Sequence, residues 1–185
     1  MDKETAKKEI MVGNEKFVEM ISAEQIQTRI NELGKQITEE YKGKLPIFIS
    51  VLNGSFMFLS DLIKKVDIHC EIDFIKLSSY GDQKISSGKV KTLKELNADI
   101  SERHVVIVED IVDTGLSINY LEKIMKEHNP ASVRVASLLV KPESLKYDVK
   151  IDYVGFEIPN KFVIGYGLDY AQKYRNLPSI YVLSE

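Results

Sequence analysis

Apolar residues at helical spacing form the first clear pattern along the chain. They recur between Ser22 and Gly43, and Gln25 follows Ser22 at the interval of a capping box, in which each residue caps the other's backbone amide. The pattern therefore predicts an amphipathic helix that begins after Ser22. The twenty residues before it predict no more than a short strand.

Uninterrupted apolar runs that alternate with helical segments form the second pattern. The runs cover residues 46–52, 104–108 and 133–140, and helical spacing follows the first two over residues 56–66 and 118–125. A strand that is apolar on both faces is typical of a parallel sheet covered by helices on both sides. The alternation therefore predicts an α/β fold with a mostly parallel central sheet flanked by helices.

Ligands of such sheets bind in the loops beyond the carboxyl ends of the strands. These loops are expected at residues 53–55, 109–117 and 141–143 and after Glu157. Between Glu71 and Leu96, two strand-like stretches flank a polar segment, residues 78–88. They predict a hairpin whose connection is either a mobile lid or an ordinary surface loop.

Composition favours a single domain, residues 1–185, with small-molecule partners. The chain is 44% hydrophobic and 29% charged, as in ordinary globular proteins, and its formal net charge of -3 gives no general attraction to nucleic acid. Cys70, the one cysteine, cannot form an intramolecular disulfide. Neither a secretory signal nor an apolar run of membrane-spanning length is found. We expect a cytoplasmic protein without membrane or nucleic-acid partners.

The clearest chemistry lies between the second apolar run and the next helix. Glu109 and Asp110 follow the run, and hydroxyl-bearing residues surround Gly115 at a predicted helix N-terminus. Free amides at such a terminus bind phosphate groups, and the neighbouring carboxylates suit sugar hydroxyls or magnesium. Alternatively, Asp113 or Thr114 caps the helix and the two acids are solvated. The spacing alone leaves both interpretations open.

This segment resembles the phosphoribosyl-pyrophosphate-binding motif of type I phosphoribosyltransferases, an apolar strand followed by two acids, two aliphatic residues and Asp-Thr-Gly. Residues 138–141 and 153–169 extend the resemblance over nearly the whole chain, to the hypoxanthine-guanine phosphoribosyltransferase family. The resemblance implies a type I phosphoribosyltransferase-like fold with a small hood and a mobile hairpin lid. It also implies transfer of a phosphoribosyl group from phosphoribosyl pyrophosphate to a 6-oxopurine, with Mg²⁺ as cofactor.

The resemblance further implies roles for individual residues. The phosphoribosyl group would bind Glu109, Asp110, Asp113, Thr114, Gly115, Leu116 and Ser117, and Asp113 would be the catalytic residue that exchanges a proton with purine N7. Pyrophosphate would bind Asn53, Gly54 and Arg175, and the purine would bind Lys141, Phe162, Val163 and Asp169. Magnesium would be held by Glu109, Asp110 and Asp169, and the lid would include Ser79 and Tyr80.

Some of these roles compete with plainer ones. Lys141 could be a solvated surface charge, and Phe162 could be a core aromatic. Asn53 stands where many family members carry lysine, in a loop that holds a non-proline cis peptide in some relatives. The alternative functions are an RNA-binding regulator with the same fold and a transferase for another base, such as xanthine. Family habit implies a homodimer or a homotetramer.

Overall fold

The computed structural model of the protein describes residues 8–79 and 90–184, with the backbone alone at residues 78, 79, 90 and 91. In chain order the elements are β1 (Glu9–Val12), β2 (Glu15–Ile21), α1 (Ala23–Glu40), β3 (Ile47–Leu52), α2 (Phe56–Ile63), β4 (Glu71–Ser79), β5 (Val90–Lys94), β6 (His104–Val112), α3 (Leu116–Lys126), β7 (Ser132–Val140), β8 (Tyr153–Glu157), β9 (Val163–Ile164) and β10 (Ile180–Leu183). A short 3-10 turn, Pro142–Ser144, follows β7.

The central sheet has six strands in the order β5-β4-β3-β6-β7-β8. All neighbouring pairs are parallel except β4 and β5. Successive side chains of a strand point to opposite faces, and both faces are buried here. Phe48 packs in the cluster that contains α1 and α2, whereas Ile47 and Ile49 pack in the cluster that contains α3. The predicted α/β fold with helices on both faces is confirmed.

Helix α1 begins where the sequence predicts. The Ser22 hydroxyl accepts the Gln25 amide at 3.2 Å, and Gln25 Oε1 accepts the Ser22 amide at 2.9 Å. This reciprocal capping box satisfies two of the amides that a helix start leaves free. Helix α2, by contrast, ends at Ile63 and is shorter than the predicted 56–66 segment.

Strand β6 is longer than the sequence predicts, and the difference relocates two site residues. The apolar run 104–108 predicts an acidic turn from Glu109 onward, but the strand continues to Val112. It continues because Ile111 and Val112 extend the parallel ladder with β7. Glu109 and Asp110 therefore lie on a strand of the central sheet, and the turn is confined to the residues between Val112 and Leu116.

A second, antiparallel sheet has the order β1-β2-β10-β9 and corresponds to the small hood. The first twenty residues contribute a hairpin to it, β1 and β2, where the sequence predicts a single short strand. After β9 the chain returns to the end of the central sheet, where Gly167 packs directly on Gly54 in the loop after β3. Across the residues that the structure describes, no helix combines the length and apolar character needed to cross a membrane.

Candidate active site

The carboxyl ends of β3 and β6 and the turn after β9 enclose a cavity of about 290 Å³. It is lined by Val51, Leu52, Asn53, Gly54, Leu77, Glu109, Asp110, Leu116, Ser117, Asp169 and Arg175. A second cavity, of about 100 Å³, shares Glu109, Leu116 and Ser117 with the first and adds Asp113, Thr114 and Gly115. Residues predicted to bind the sugar, its phosphate and pyrophosphate therefore meet at one edge of the sheet, as parallel topology requires.

The turn before α3 presents a helix N-terminus to these cavities. Gly115 is the N-cap, with φ of 82° and no side-chain cap. A Cβ at Gly115 would also lie 2.9 Å from a methyl group of Val149, so a glycine suits the position in both respects. The Thr114 hydroxyl accepts the Leu116 amide at 3.3 Å, so the capping interpretation is partly right for Thr114. The Asp113 carboxylate makes no such cap.

Asp113 instead faces Lys141. The Lys141 ammonium lies 3.1 Å from Asp113 Oδ2, and the lysine side chain is only 10% exposed. Lys141 follows the last residue of β7, and its amide donates to the Val112 carbonyl. A lysine buried to this degree and paired with a carboxylate is not a solvated surface charge. The Asp113 side chain remains about half exposed, at 48%, and is accessible to a ligand.

Glu109 and Asp110 form a crowded pair of carboxylates. Glu109 is 7% exposed, and burial raises its pKa well above the ordinary range, with the charge of Asp110 adding to the rise. Burial likewise raises the pKa of Asp110 to about 6, although its carboxylate accepts the Ile111 amide. Among the residues that the structure describes, neither acid forms an ion pair. Such a pair favours a ligand that brings hydroxyl donors or a cation.

The loop between β3 and α2 packs against these acids without spare room. The Leu52–Asn53 peptide bond is cis. A Cβ at Gly54 would lie 1.5 Å from Asp110 Oδ2, and a Cβ at Gly167 would lie 2.0 Å from the Gly54 carbonyl oxygen. Both positions therefore require glycine by close approach. The Ser55 hydroxyl holds the end of the loop by donating to the Val51 carbonyl at 2.6 Å.

Asp169 and Arg175 are bound to each other at the opposite wall of the cavity. Arg175 Nη2 lies 2.6 Å from Asp169 Oδ1, and Arg175 Nη1 donates to the Gly167 carbonyl at 2.8 Å. Asp169 Oδ2 accepts the amide of Gln172. The resemblance implies that Asp169 binds purine and metal and that Arg175 binds pyrophosphate, but the sequence gives no sign that the two side chains are partners.

Phe162 stands apart from the two cavities. Its side chain is 45% exposed and makes edge contacts with Phe17 and Tyr170, at centroid distances of 6.2 and 5.8 Å. The core interpretation is therefore wrong for Phe162, whereas Phe156 does pack against the core. Val163 is buried on β9, where it pairs with Val182. Sequence reasoning missed Tyr170, although it directly follows Asp169.

The carboxylates do not by themselves form a metal cage. Within the two described ranges, no three His, Cys, Asp or Glu side chains are grouped so as to hold a metal ion. Glu109, Asp110 and Asp169 line the same cavity, but Asp169 is engaged by Arg175. Of the expected lid residues, Ser79 ends β4, and its side chain and the whole of Tyr80 lie outside the described residues.

Comparison with known proteins agrees with this geometry. A family model described as phosphoribosyl transferase domain matches residues 19–171. Hypoxanthine-guanine phosphoribosyltransferase of Bacillus subtilis is 47% identical over 164 residues, which cover 89% of this chain and 91% of that protein. A solved hypoxanthine-guanine phosphoribosyltransferase from Bacillus anthracis is similar with a TM-score of 0.86 and 44% identity, covering 90% of this chain and 98% of that one.

A hypoxanthine phosphoribosyltransferase structure from Staphylococcus aureus has the same TM-score, 0.86, at 42% identity, with 90% of each chain covered. The match in sequence and the match in structure each cover about nine-tenths of the chain, 89% and 90% respectively. The chain therefore belongs to the hypoxanthine-guanine phosphoribosyltransferase family.

Proposed function

We propose that the protein transfers the phosphoribosyl group of phosphoribosyl pyrophosphate to a 6-oxopurine, hypoxanthine or guanine, and releases pyrophosphate in purine salvage. The observation that carries the proposal is the juxtaposition of an open helix N-terminus at Gly115 with the buried Glu109 and the partly buried Asp110, in two cavities that share lining residues. A phosphate seat beside acceptors for sugar hydroxyls fits a phosphorylated pentose. Membership of the family supports the same conclusion.

The donor substrate would span both cavities. Its 5'-phosphate would accept hydrogen bonds from the amides and hydroxyls of residues 114–117, while Glu109 and Asp110 accept those of the ribose hydroxyls. The pyrophosphate part would lie along the Asn53-Gly54 loop and face Arg175 across the larger cavity. Arg175 would provide the cationic charge there, since this loop carries asparagine.

Magnesium fits the oxygen donors that the cavity offers. Glu109 and Asp110 offer carboxylate oxygens whose ionisation burial opposes, and a bound cation would favour the charged form of both. The hard Mg²⁺ ion is usually bound by one or two carboxylates together with substrate oxygens and water. Bound Mg²⁺ would neutralise charge that develops on the departing pyrophosphate. Asp169 would contribute through water.

The acceptor base would lie between Lys141 and Phe162. The buried Lys141 ammonium would donate to the oxygen at C6, which excludes adenine because its amino group offers a donor there. Phe162 would stack on the purine face and Val163 would present backbone groups to the base edge. Asp113 would accept the N7 proton as N9 forms its bond to the anomeric carbon and the bond from that carbon to pyrophosphate breaks.

The decisive test is a product assay with purified protein, Mg²⁺, phosphoribosyl pyrophosphate and one base at a time: hypoxanthine, guanine, xanthine, adenine or uracil. We expect IMP and GMP, no AMP or UMP, and no product when Mg²⁺ is chelated. The proposal would be overturned if nucleotide formed only with uracil or only with adenine, or if no base gave a product. We further propose a single domain that assembles as a homodimer or homotetramer, which sedimentation can measure.

A further inference from the structure

The turn that carries Asp169 and Arg175 has an irregular backbone. Positive φ angles occur at Gly165, Tyr166, Gly167, Ala171, Gln172 and Tyr174. Non-glycine residues adopt such angles rarely, and they persist where surrounding contacts hold them. The position of the two charged side chains therefore depends on whatever anchors this turn to the rest of the molecule.

Tyr166 is the deepest anchor of the turn. It has a φ of 48° and is only 3% exposed, and its hydroxyl donates to Asp61 Oδ2 at 2.6 Å. Asp61 lies on α2 and also accepts hydrogen bonds from Gln27 on α1 and from Lys64, each at 2.7 Å. A hydrogen bond from a buried hydroxyl to a carboxylate is among the stronger ones in proteins. The turn is thus tied to both helices on that face of the sheet.

The residue after Tyr166 connects this anchor to the larger cavity. Gly167 packs on the Gly54 carbonyl so closely that no Cβ would fit. Its own carbonyl accepts Arg175 Nη1, and its amide donates to the Arg175 carbonyl at 2.9 Å. Helix α2, which carries Asp61, begins directly after the Asn53-Gly54 loop. Gly167 therefore contacts the Asn53-Gly54 loop on one side, and it holds Arg175, which faces that loop, on the other.

We propose that Tyr166 and Asp61 form a positioning pair that sets Arg175 against the Asn53-Gly54 loop and thereby determines affinity for the pyrophosphate part of the donor. The inference rests on the proposed function. Neither side chain lines either cavity, so both would act through Gly167 and Arg175. The purine side also has anchors outside this turn, since Val163 is held by β10 and Phe162 contacts Phe17, although Phe162 contacts Tyr170 of the turn as well.

The test is the Tyr166→Phe variant, which removes only the hydroxyl and leaves Asp61 with Gln27 and Lys64. We expect KM for phosphoribosyl pyrophosphate, and KM for pyrophosphate in the reverse reaction, to rise about tenfold, in keeping with the loss of a hydrogen bond to a charged group. KM for hypoxanthine should stay within about twofold. Asp61→Ala should raise the donor KM in the same way. Asp61→Asn, which keeps an oxygen acceptor for the Tyr166 hydroxyl, should retain most of the wild-type donor affinity.

Tyr153→Phe is the matched control. Tyr153 is 1% exposed, and its hydroxyl donates to Glu40 Oε2 at 2.5 Å, so it has the same kind of bond away from the cavities. This variant should lose a similar amount of thermal stability without a change in donor KM. If Tyr166→Phe melts too early to assay, the Asp61→Asn and Asp61→Ala comparison decides the question.

Two failures can be told apart. An active wild type together with an unchanged donor KM in Tyr166→Phe, or with equal rises in donor and purine KM, would overturn the positioning pair alone. A wild-type protein that forms no nucleotide from any base would overturn the proposed function, and this inference with it.

Discussion

At the scale of single residues, the cavity wall is made by backbone that approaches side chains too closely for substitution. Gly54 is the extreme case, because an added Cβ would lie 1.5 Å from Asp110 Oδ2. Asp110 cannot retreat freely, since its other oxygen accepts the amide of Ile111 at 2.8 Å. A methyl group at Gly54 would therefore displace the carboxylate that we assign to the ribose hydroxyls.

We expect Gly54→Ala to weaken donor binding by about a hundredfold, because the clash moves both the Asp110 carboxylate and the loop amides. Isothermal titration with phosphoribosyl pyrophosphate and Mg²⁺ measures the affinity. Gly43→Ala is the control, since a Cβ there meets nothing within 4 Å and only the φ of 74° strains an alanine, whereas the φ of Gly54 is not positive. Equal losses of affinity in the two variants would contradict the steric explanation.

Asp113 supports a prediction of a different kind, because its role is chemical. Asp113→Asn keeps the size of the side chain and an oxygen for Lys141, but it cannot exchange the N7 proton. We expect kcat to fall by roughly two to four orders of magnitude, with donor KM changed by less than about threefold. Steady-state kinetics with the exposed-acid variant Asp148→Asn as control tests this. Wild-type turnover in Asp113→Asn would refute the catalytic role.

That Asp113 and Lys141 lie at the same sheet edge could be anticipated from the sequence, because the loops predicted at residues 109–117 and 141–143 both follow strands of a parallel sheet. The pairing of Asp169 with Arg175 could not. It depends on a turn with repeated positive φ angles, which no periodicity encodes. Tyr166 was missed for the same reason, since a single tyrosine after a glycine gives no sign of its partner on α2.

At the scale of elements, long and doubly buried segments were predictable, and short or polar ones were not. Strand β3 and helix α1 follow directly from apolar pattern and capping. The predicted end of β6 was wrong because Glu109 and Asp110 lie within the strand, whereas two acids after an apolar run usually indicate a turn. Strand β9 has two residues, too few for any alternation to be recognised. The hood therefore could be expected only from the resemblance.

The β3–α2 loop gives the prediction that belongs to this scale. Asn53 lines the larger cavity and faces the region that we assign to pyrophosphate. Asn53→Lys would add a positive charge there, and we expect pyrophosphate to bind about threefold to tenfold more tightly at low salt, with the gain reduced at high ionic strength. Inhibition by pyrophosphate measures it. Asn53→Gln is the neutral control of increased length, and an equal gain in that variant would contradict the electrostatic cause.

At the scale of the whole molecule, buried carboxylates divide into two groups. Burial raises the pKa values of Asp61, Asp73 and Asp152, but hydrogen bonds to each outweigh it, so that all three pKa values are lowered. A lowered pKa contributes stability above the unfolded value, and this stability is lost as pH falls. Glu109 and Asp110 have raised pKa values and act in the opposite direction. The two carboxylates that lower stability when they are ionised, Glu109 and Asp110, are thus the ones that line the larger cavity.

The pH dependence of stability follows from this division. The pKa of Asp110 is raised to about 6 in the folded protein, so the folded state holds that proton more tightly than the unfolded chain does. Its contribution to stability is complete below the unfolded pKa, near 4, and is lost as pH rises through about 6. Asp110→Asn remains neutral at every pH. Without donor or metal, the variant should match wild type near pH 4 and exceed it above pH 6 by about 3 kcal/mol.

Thermal melts of both proteins between about pH 4 and 8 measure this difference, which corresponds to roughly 9 °C in Tm for a chain of this length. Asp152→Asn should show the reverse sign, because its lowered pKa reflects bonds with Arg134 and Lys150 that need the charge. That variant should be less stable than wild type at neutral pH and approach it in acid. A loss of stability in Asp110→Asn at pH 8 would mean that the Asp110 charge has a partner within the protein. That result would contradict the role of Asp110 as an acceptor for sugar hydroxyls or a ligand of a cation.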